Sequence, residues 1–206
     1  MKAILIIFLS VCTLSASAQR TMTDYVNKTC DIVWLGLDFT KMKFVASPWK
    51  DSPEKIKNET IPAWIEQLGE SGRFDWKKAF QNDNLIIDYG PVTKANATID
   101  ETQFHTMTPH TISKDVLAEV VKAFDMGDRT DGIGVTIVIE AFDQNTLTGY
   151  GYITFFDINT RQLLHKQAVS GKAFGVTLYT YWAKAILGMR DIVASRVLRD
   201  VQKKYK

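Results

Sequence analysis

Hydrophobic and polar residues alternate between two periods along this chain. The run Asp31 to Phe39, DIVWLGLDF, is rich in β-formers, has no proline and predicts a mostly buried strand. Gly36 marks a bulge or a close approach in it. Met42 to Val45 continues the strand after Thr40-Lys41, and Ser47-Pro48 closes it. Ser52-Pro53 pairs a cap with proline at the first helical position, so a short helix is predicted from Pro53 to about Asn58. Thr60 caps a second piece in which Ile61, Trp64, Ile65 and Leu68 share one face, ended by Gly69 or Gly72. Phe74 to Phe80 predicts another turn or two of helix. Leu85-Ile86-Ile87 predicts a short buried strand, closed by Asp88-Tyr89-Gly90-Pro91. Residues 92–111 show no clear period and are expected to be a long connection.

The second half has a firmer rhythm. Ser113 caps a helix from Lys114 to about Phe124, with Val116, Leu117, Val120, Val121 and Phe124 as its apolar stripe. A polar loop from Asp125 to Asp131 leads to three strands, Ile133–Phe142, Gly149–Ile158 and Gln162–Ser170. Their short polar connections force neighbours to run antiparallel, which predicts a three-strand meander over about 133–170. Thr177 then caps a long carboxyl-terminal helix reaching about Lys203, whose buried face is Trp182, Ala183, Ile186, Met189, Val193, Val197 and Val201. Its basic end, with Arg196, Arg199, Lys203, Lys204 and Lys206, complements the helix dipole without any partner. The expected fold is α/β (α+β): one mixed sheet built on the antiparallel meander, with helices packed on it.

Residues 1–18, MKAILIIFLSVCTLSASA, carry Lys2, an apolar run and the small-residue site Ala16-Ser17-Ala18 in the order of an export signal. The run is too short to span a bilayer, and no second apolar stretch of spanning length follows. The expected organisation is a signal over 1–18 and one domain over 19–206, in the periplasm or secreted. Leu9-Ser10-Val11-Cys12 partly resembles a lipoprotein box, but Val11 sits where such boxes take Gly or Ala, so soluble export is preferred over lipidation of Cys12. Removal of Cys12 with the signal leaves Cys30, which cannot form an internal disulfide and is read as a small buried hydrophobe.

Composition narrows the classes further. The chain has 206 residues, 46% hydrophobic and 23% charged, as in ordinary globular domains. Lys+Arg 25 against Asp+Glu 23 gives +2, a near-balance that argues against nucleic acid as a partner. No P-loop, dinucleotide fingerprint, nucleophile elbow or H-E-x-x-H occurs, and no cofactor or metal is expected. His105 and His110 are five apart with Pro109 between them, which is not a helical ligand pair. Asp38, Asp88, Asp143 and Asp157 sit at strand ends, where catalytic carboxylates and turn-forming aspartates both occur. The best candidate surface is KAFGVTLYTYW over residues 172–182. Phe174, Tyr179, Tyr181 and Trp182 cluster at a loop and a helix start, and free N–H groups there with Lys172 can hold an anion. The competing reading is that Phe174 and Trp182 seal the helix onto the meander.

The segment GVTIVIEAFDQNTLTGYGYITFFDINTRQLLHKQAVSGKAFG resembles the closing strands of periplasmic domains like the amino-terminal domain of TolB. Similar domains occur in the curli-secretion lipoprotein and in lipoprotein activators of penicillin-binding proteins. The shared pattern is Phe156-Asp157-Ile158-Asn159-Thr160 followed by Leu163-Leu164. The whole chain is also similar to an uncharacterised family of exported bacterial proteins, through Trp34, Gly36, Asp38 and Phe39, and through Gly171, Lys172, Ala173, Gly175, Tyr181 and Trp182. The first resemblance covers about half the chain, departs from it over 92–111, and brings no catalytic residue. It implies a protein-binding or envelope-assembly module rather than an enzyme, and the expected partner is an envelope protein or glycan. A hydrolase acting on polysaccharide or peptidoglycan, which needs two converging carboxylates, and a small-ligand carrier, which needs an apolar pocket, are the alternatives.

Overall fold

The computed structural model describes residues 19–47, 49–69 and 74–206, the side chains of 67–69 excepted. The export signal expected over 1–18, with Cys12, lies outside the described residues.

A capped turn of helix, α1 (Met22–Asn27), precedes β1 (Ile32–Asp38) and β2 (Lys43–Val45). The helices α2 (Pro53–Lys55) and α3 (Ile61–Gly69) are joined by a π turn over Ile56–Thr60, and α4 (Trp76–Phe80) follows. Next come β3 (Ile86–Ile87), α5 (Gly90–Ala97), a 3₁₀ turn (Glu101–Gln103), β4 (His105–Thr106) and α6 (Lys114–Ala123). The chain closes with β5 (Ile133–Asp143), β6 (Thr148–Asp157), β7 (Leu163–Lys172), α7 (Leu178–Ile192), a π turn over Val193–Val197, and α8 (Leu198–Tyr205).

All seven strands among the described residues form one sheet. β1 and β2 lie end to end along one edge of β5, both parallel to it: Ile32 faces Ile133, Asp38 faces Val138, and Val45 faces Asp143. β3 pairs with β1 and β4 with β2, again in parallel. On the other edge of β5, β6 and then β7 pair antiparallel.

The expected sheet class is therefore corrected. An antiparallel meander does not organise this sheet, which is mostly parallel with β5 as its central row; only the β5–β6 and β6–β7 pairings are antiparallel. Short polar connections reveal antiparallel neighbours, but parallel pairs need long crossovers. Here those crossovers are α2–α4 and the segment holding α5, β4 and α6. The stretch 92–111, expected to be a connection, supplies most of α5 and all of β4. The long last helix is also interrupted, by the π turn at Val193–Val197, whose extra residue keeps Val193, Val197, Leu198 and Val201 all buried.

Helices cover both faces of the sheet, as a parallel sheet requires. Ile32, Trp34 and Leu37 of β1 join Ile133, Val135, Ile137 and Ile139 of β5 in the larger core, beneath α3, α4 and α7. Val33, Leu35 and Val138 point the other way, into a smaller core with Val92 of α5 and Leu117, Val120 and Val121 of α6. The switch from even to odd inward positions along β1 comes at Gly36, whose φ of +90° and register shift against β5 mark a bulge. α7 lies unusually close to the sheet. A Cβ at Gly171 of β7 would sit 2.0 Å from the Ala185 carbonyl oxygen. Cys30 is half-exposed and packs against the edge of the larger core. Among the described residues no helix is long and apolar enough to cross a membrane.

Candidate functional site

The loop between β7 and α7 meets the β5–β6 turn at one end of the sheet. The Ala173 N–H donates to the Leu147 carbonyl at 2.9 Å. Lys172 Nζ donates to the Thr146 carbonyl at 3.2 Å and to Thr148 Oγ1 at 3.0 Å, so it fastens the turn. Thr177 caps α7: its Oγ1 accepts from the Thr180 N–H, and its own N–H donates to Thr180 Oγ1, both at 3.2 Å. Lys172 is turned to the turn backbone, and threonine side chains occupy the cap.

The five residues singled out in the sequence divide. Trp182 is 0% exposed and stacks on Phe142, centroids 4.8 Å apart at 18°; it seals α7 onto the sheet. Tyr181 is half-buried between Trp182 and Trp49, and its hydroxyl accepts from Gln144 Nε2 at 3.4 Å. Tyr179 is half-buried, and its carbonyl accepts from Trp64 Nε1 at 3.0 Å. Lys172 is exposed. Phe174 is 62% exposed, with the Lys184 ammonium 5.3 Å from its ring centroid.

Two residues that the sequence reading did not single out, one of them inside 172–182, complete the surface. Val176 is 88% exposed and Leu147 45%. Val176 precedes the cap, where an apolar residue ordinarily staples onto the fourth helical position, here Tyr181. It stands in solvent instead. No sequence signal distinguishes a stapled valine from a free one. A cleft of about 340 Å³, lined by Trp49, Asp51, Lys55, Thr60 and residues 176–179, adjoins it.

Sheet register separates the four strand-end aspartates. Asp38 lies beside Val138, Asp143 beside Val45 at the far end of β5, and Asp157 opposite Ile133 at its beginning. At about 3.3 Å per residue, Asp143 and Asp157 each stand roughly 17 Å from Asp38 along the sheet, beyond the roughly 5–9.5 Å of a glycosidase pair. The Asp88 N–H donates to the Trp34 carbonyl, well short of the end of β1. Asp88 and Asp143 close turns by accepting from Gly90 N–H and Asn145 N–H.

Three carboxylates are buried among the described residues: Asp38, Glu140 and Asp157. Asp157 accepts from the Arg20 and Thr160 N–H groups, one on each oxygen, and Glu140 from the Ile112 N–H. Asp38 differs. Its Oδ1 accepts from the Thr40 N–H at 3.1 Å and the Thr40 hydroxyl at 2.6 Å, while the buried Oδ2 has no donor among the described residues. Burial pushes this carboxyl up to about 6, against the Thr40 hydrogen bonds and the Lys41 charge. His110 turns Nε2 to the Lys41 carbonyl at 2.9 Å, and His105 stacks on Phe44, centroids 5.5 Å apart. The described residues bring no three His, Cys, Asp or Glu together as a metal ligand set.

No family model matches this chain, and no curated protein or solved structure is significantly similar to it. Function is therefore argued from the surface and its chemistry.

Proposed function

We propose that this protein is an exported, non-catalytic docking module that binds another protein of a bacterial envelope through the end of the sheet bearing Leu147, Phe174 and Val176. The observation that carries the reading is the exposure of Phe174 and Val176 on a loop braced by the Ala173 N–H on the Leu147 carbonyl and by the Thr177 cap. Large apolar side chains held in water on a braced loop are what a protein partner buries. Trp182 is inside the core and Tyr181 is half-buried, so the flat ring platform a glycan would stack on is reduced to Phe174. That favours a protein partner over a sugar. The separated aspartates count against the hydrolase reading. The likeness of residues 134–175 to periplasmic assembly domains, and the export signal over 1–18, point to the same class of work.

The test is a photo-crosslinking amino acid placed at Val176 or, as a control, at exposed Asp128 in the loop before β5, at the other end of the sheet. In producing bacteria the Val176 position should give one discrete protein adduct and the Asp128 position none. Absence of an adduct at Val176, or the same adduct from both positions, rejects the docking surface.

A further inference from the structure

A second site lies on the opposite face of the sheet, where the chain's own winding opens a crevice. β1 stands between β3, reached through α2–α4 over the larger core, and β5, reached through α5 and α6 over the smaller one. Helices thus leave β1 on opposite faces in the two directions. In an open α/β sheet, ligands enter beyond the carboxyl end of such a strand. The carboxyl end of β1 is Asp38. There the row breaks off until β2 resumes it, and a cleft of about 550 Å³ opens between α5 and α6 with Asp38 in its lining.

The chemistry of this lining selects its occupant. Asp38 is 0% exposed and its Oδ2 has no hydrogen-bond donor among the described residues, so an unanswered acceptor lies just behind the cleft wall, and an occupant reaches it as that wall gives way. A buried acceptor without a donor is costly, and a charged donor answers it best. Two other acids line the cleft. Asp125 is already paired with Lys94 at 2.7 Å, while Glu119 on α6 and Lys41 at the end of β1 have no ion-pair partner among the described residues. With Asp38 ionised, the lining carries one excess negative charge. Pro91, Ala95 and Val120 supply an apolar wall of short side chains. The volume is that of a small-molecule site.

We propose that this cleft binds a small organic primary amine, its ammonium donating to Asp38 Oδ2 and its hydrocarbon body lying along α5 and α6. Binding requires the Asp38 carboxylate, which burial holds at about 6, so affinity falls as pH drops through that value. The other titratable or charged groups facing the cleft are Lys41, Lys94, Glu119 and Asp125, with His110 against the Lys41 carbonyl.

The test is calorimetric titration of the whole exported chain with n-hexylammonium chloride, beside 1-hexanol as the uncharged equivalent. Saturable binding of the ammonium at pH 7.5, weakened at least about tenfold for hexanol and in Asp38→Asn, is expected. Ala123→Phe, which fills the cleft from an exposed position, should abolish binding without disturbing the core. The loss of affinity below pH 6 should persist in Glu119→Gln and His110→Gln. No saturable binding, equal binding of hexanol, unaltered affinity in Ala123→Phe, or a pH dependence that vanishes in Glu119→Gln or His110→Gln would each overturn the assignment. If Asp38→Asn fails to fold, the Ala123→Phe and pH arms decide alone.

Discussion

Asp38 offers a prediction whose size follows from its burial. An aspartate with an ordinary value of 3.8 is held at about 6 in the folded chain, with desolvation as the leading cause. Below 3.8 the carboxyl is neutral in both folded and unfolded chains. Between 3.8 and 6 the folded chain keeps a proton that the unfolded chain has released, so stability falls as pH rises through this window. Above 6 the folded chain carries the ion in its interior and the contribution is lost. At about 1.36 kcal/mol per pH unit, wild type loses about 2–2.5 kcal/mol between pH 4 and pH 7.5 from this group. Asp38→Asn cannot ionise. Its amide places a new donor at the former Oδ2 or Oδ1 position, which shifts stability by an amount that does not depend on pH. The difference between variant and wild type therefore isolates the carboxyl. The assay is urea unfolding of both proteins at half-unit steps of pH, with equal m-values confirming the same transition. The difference should move by about 2–2.5 kcal/mol in favour of the variant as pH rises, most steeply between 4.5 and 6. A difference flat to about 0.5 kcal/mol over that range refutes the buried, donor-poor environment.

Three further outcomes follow from the packing. Gly171→Ala drives a Cβ to 2.0 Å from the Ala185 carbonyl oxygen and 3.0 Å from the Met189 nitrogen, both helix backbone. Lifting α7 should cost about 3 kcal/mol and lower Tm by roughly 6–12 °C, and a melt within about 2 °C of wild type would contradict the contact. Asn96 holds the end of β1 by accepting from the Phe39 N–H at 2.8 Å and donating to the Leu37 carbonyl at 3.0 Å. Asn96→Ala leaves both groups buried without a partner and should cost about 2–4 kcal/mol in urea unfolding; a loss under about 1 kcal/mol would mean the strand end re-pairs. Burial raises the Cys30 thiol to about 11, chiefly by desolvation, so a disulfide reagent at pH 8 should label it much more slowly than a free cysteine, and labelling at the free rate would show the site open.

Much of the local structure is legible in the residues. Ser113 and Thr177 start α6 and α7 as side-chain caps, and the buried positions of α7 include Trp182, Ala183, Ile186 and Met189 as the spacing indicates, with Leu178 and Ala185 beside them. The β1 run is buried on both faces, as an uninterrupted apolar strand beside parallel neighbours should be. What could not be read is the order of the rows. A strand's pattern says which face is buried but not which neighbour lies at its edge. β3 and β4 are two residues each and too short to show a period. α5 has only Pro91 and Val92 as buried apolar positions in a polar segment, so no stripe announces it. The site residues fail for a related reason. Trp182 and Phe174 are both aromatics near one helix start, and only the seat on Phe142 sends one inward and leaves the other in water. Asp38 looks like any strand-end aspartate until the break between β1 and β2 and the crossover helices close round it.

The proposed docking surface is tested most directly by hydrogen exchange on the purified chain, alone and with detergent-solubilised envelope from the producing bacterium. Protection should appear at residues 144–147 and 173–177 and disappear in the Phe174→Ser, Val176→Ser double variant, whose melting temperature stays at the wild-type value because both side chains stand in solvent. Protection confined to other segments, or protection at these loops that survives the double variant, would contradict it.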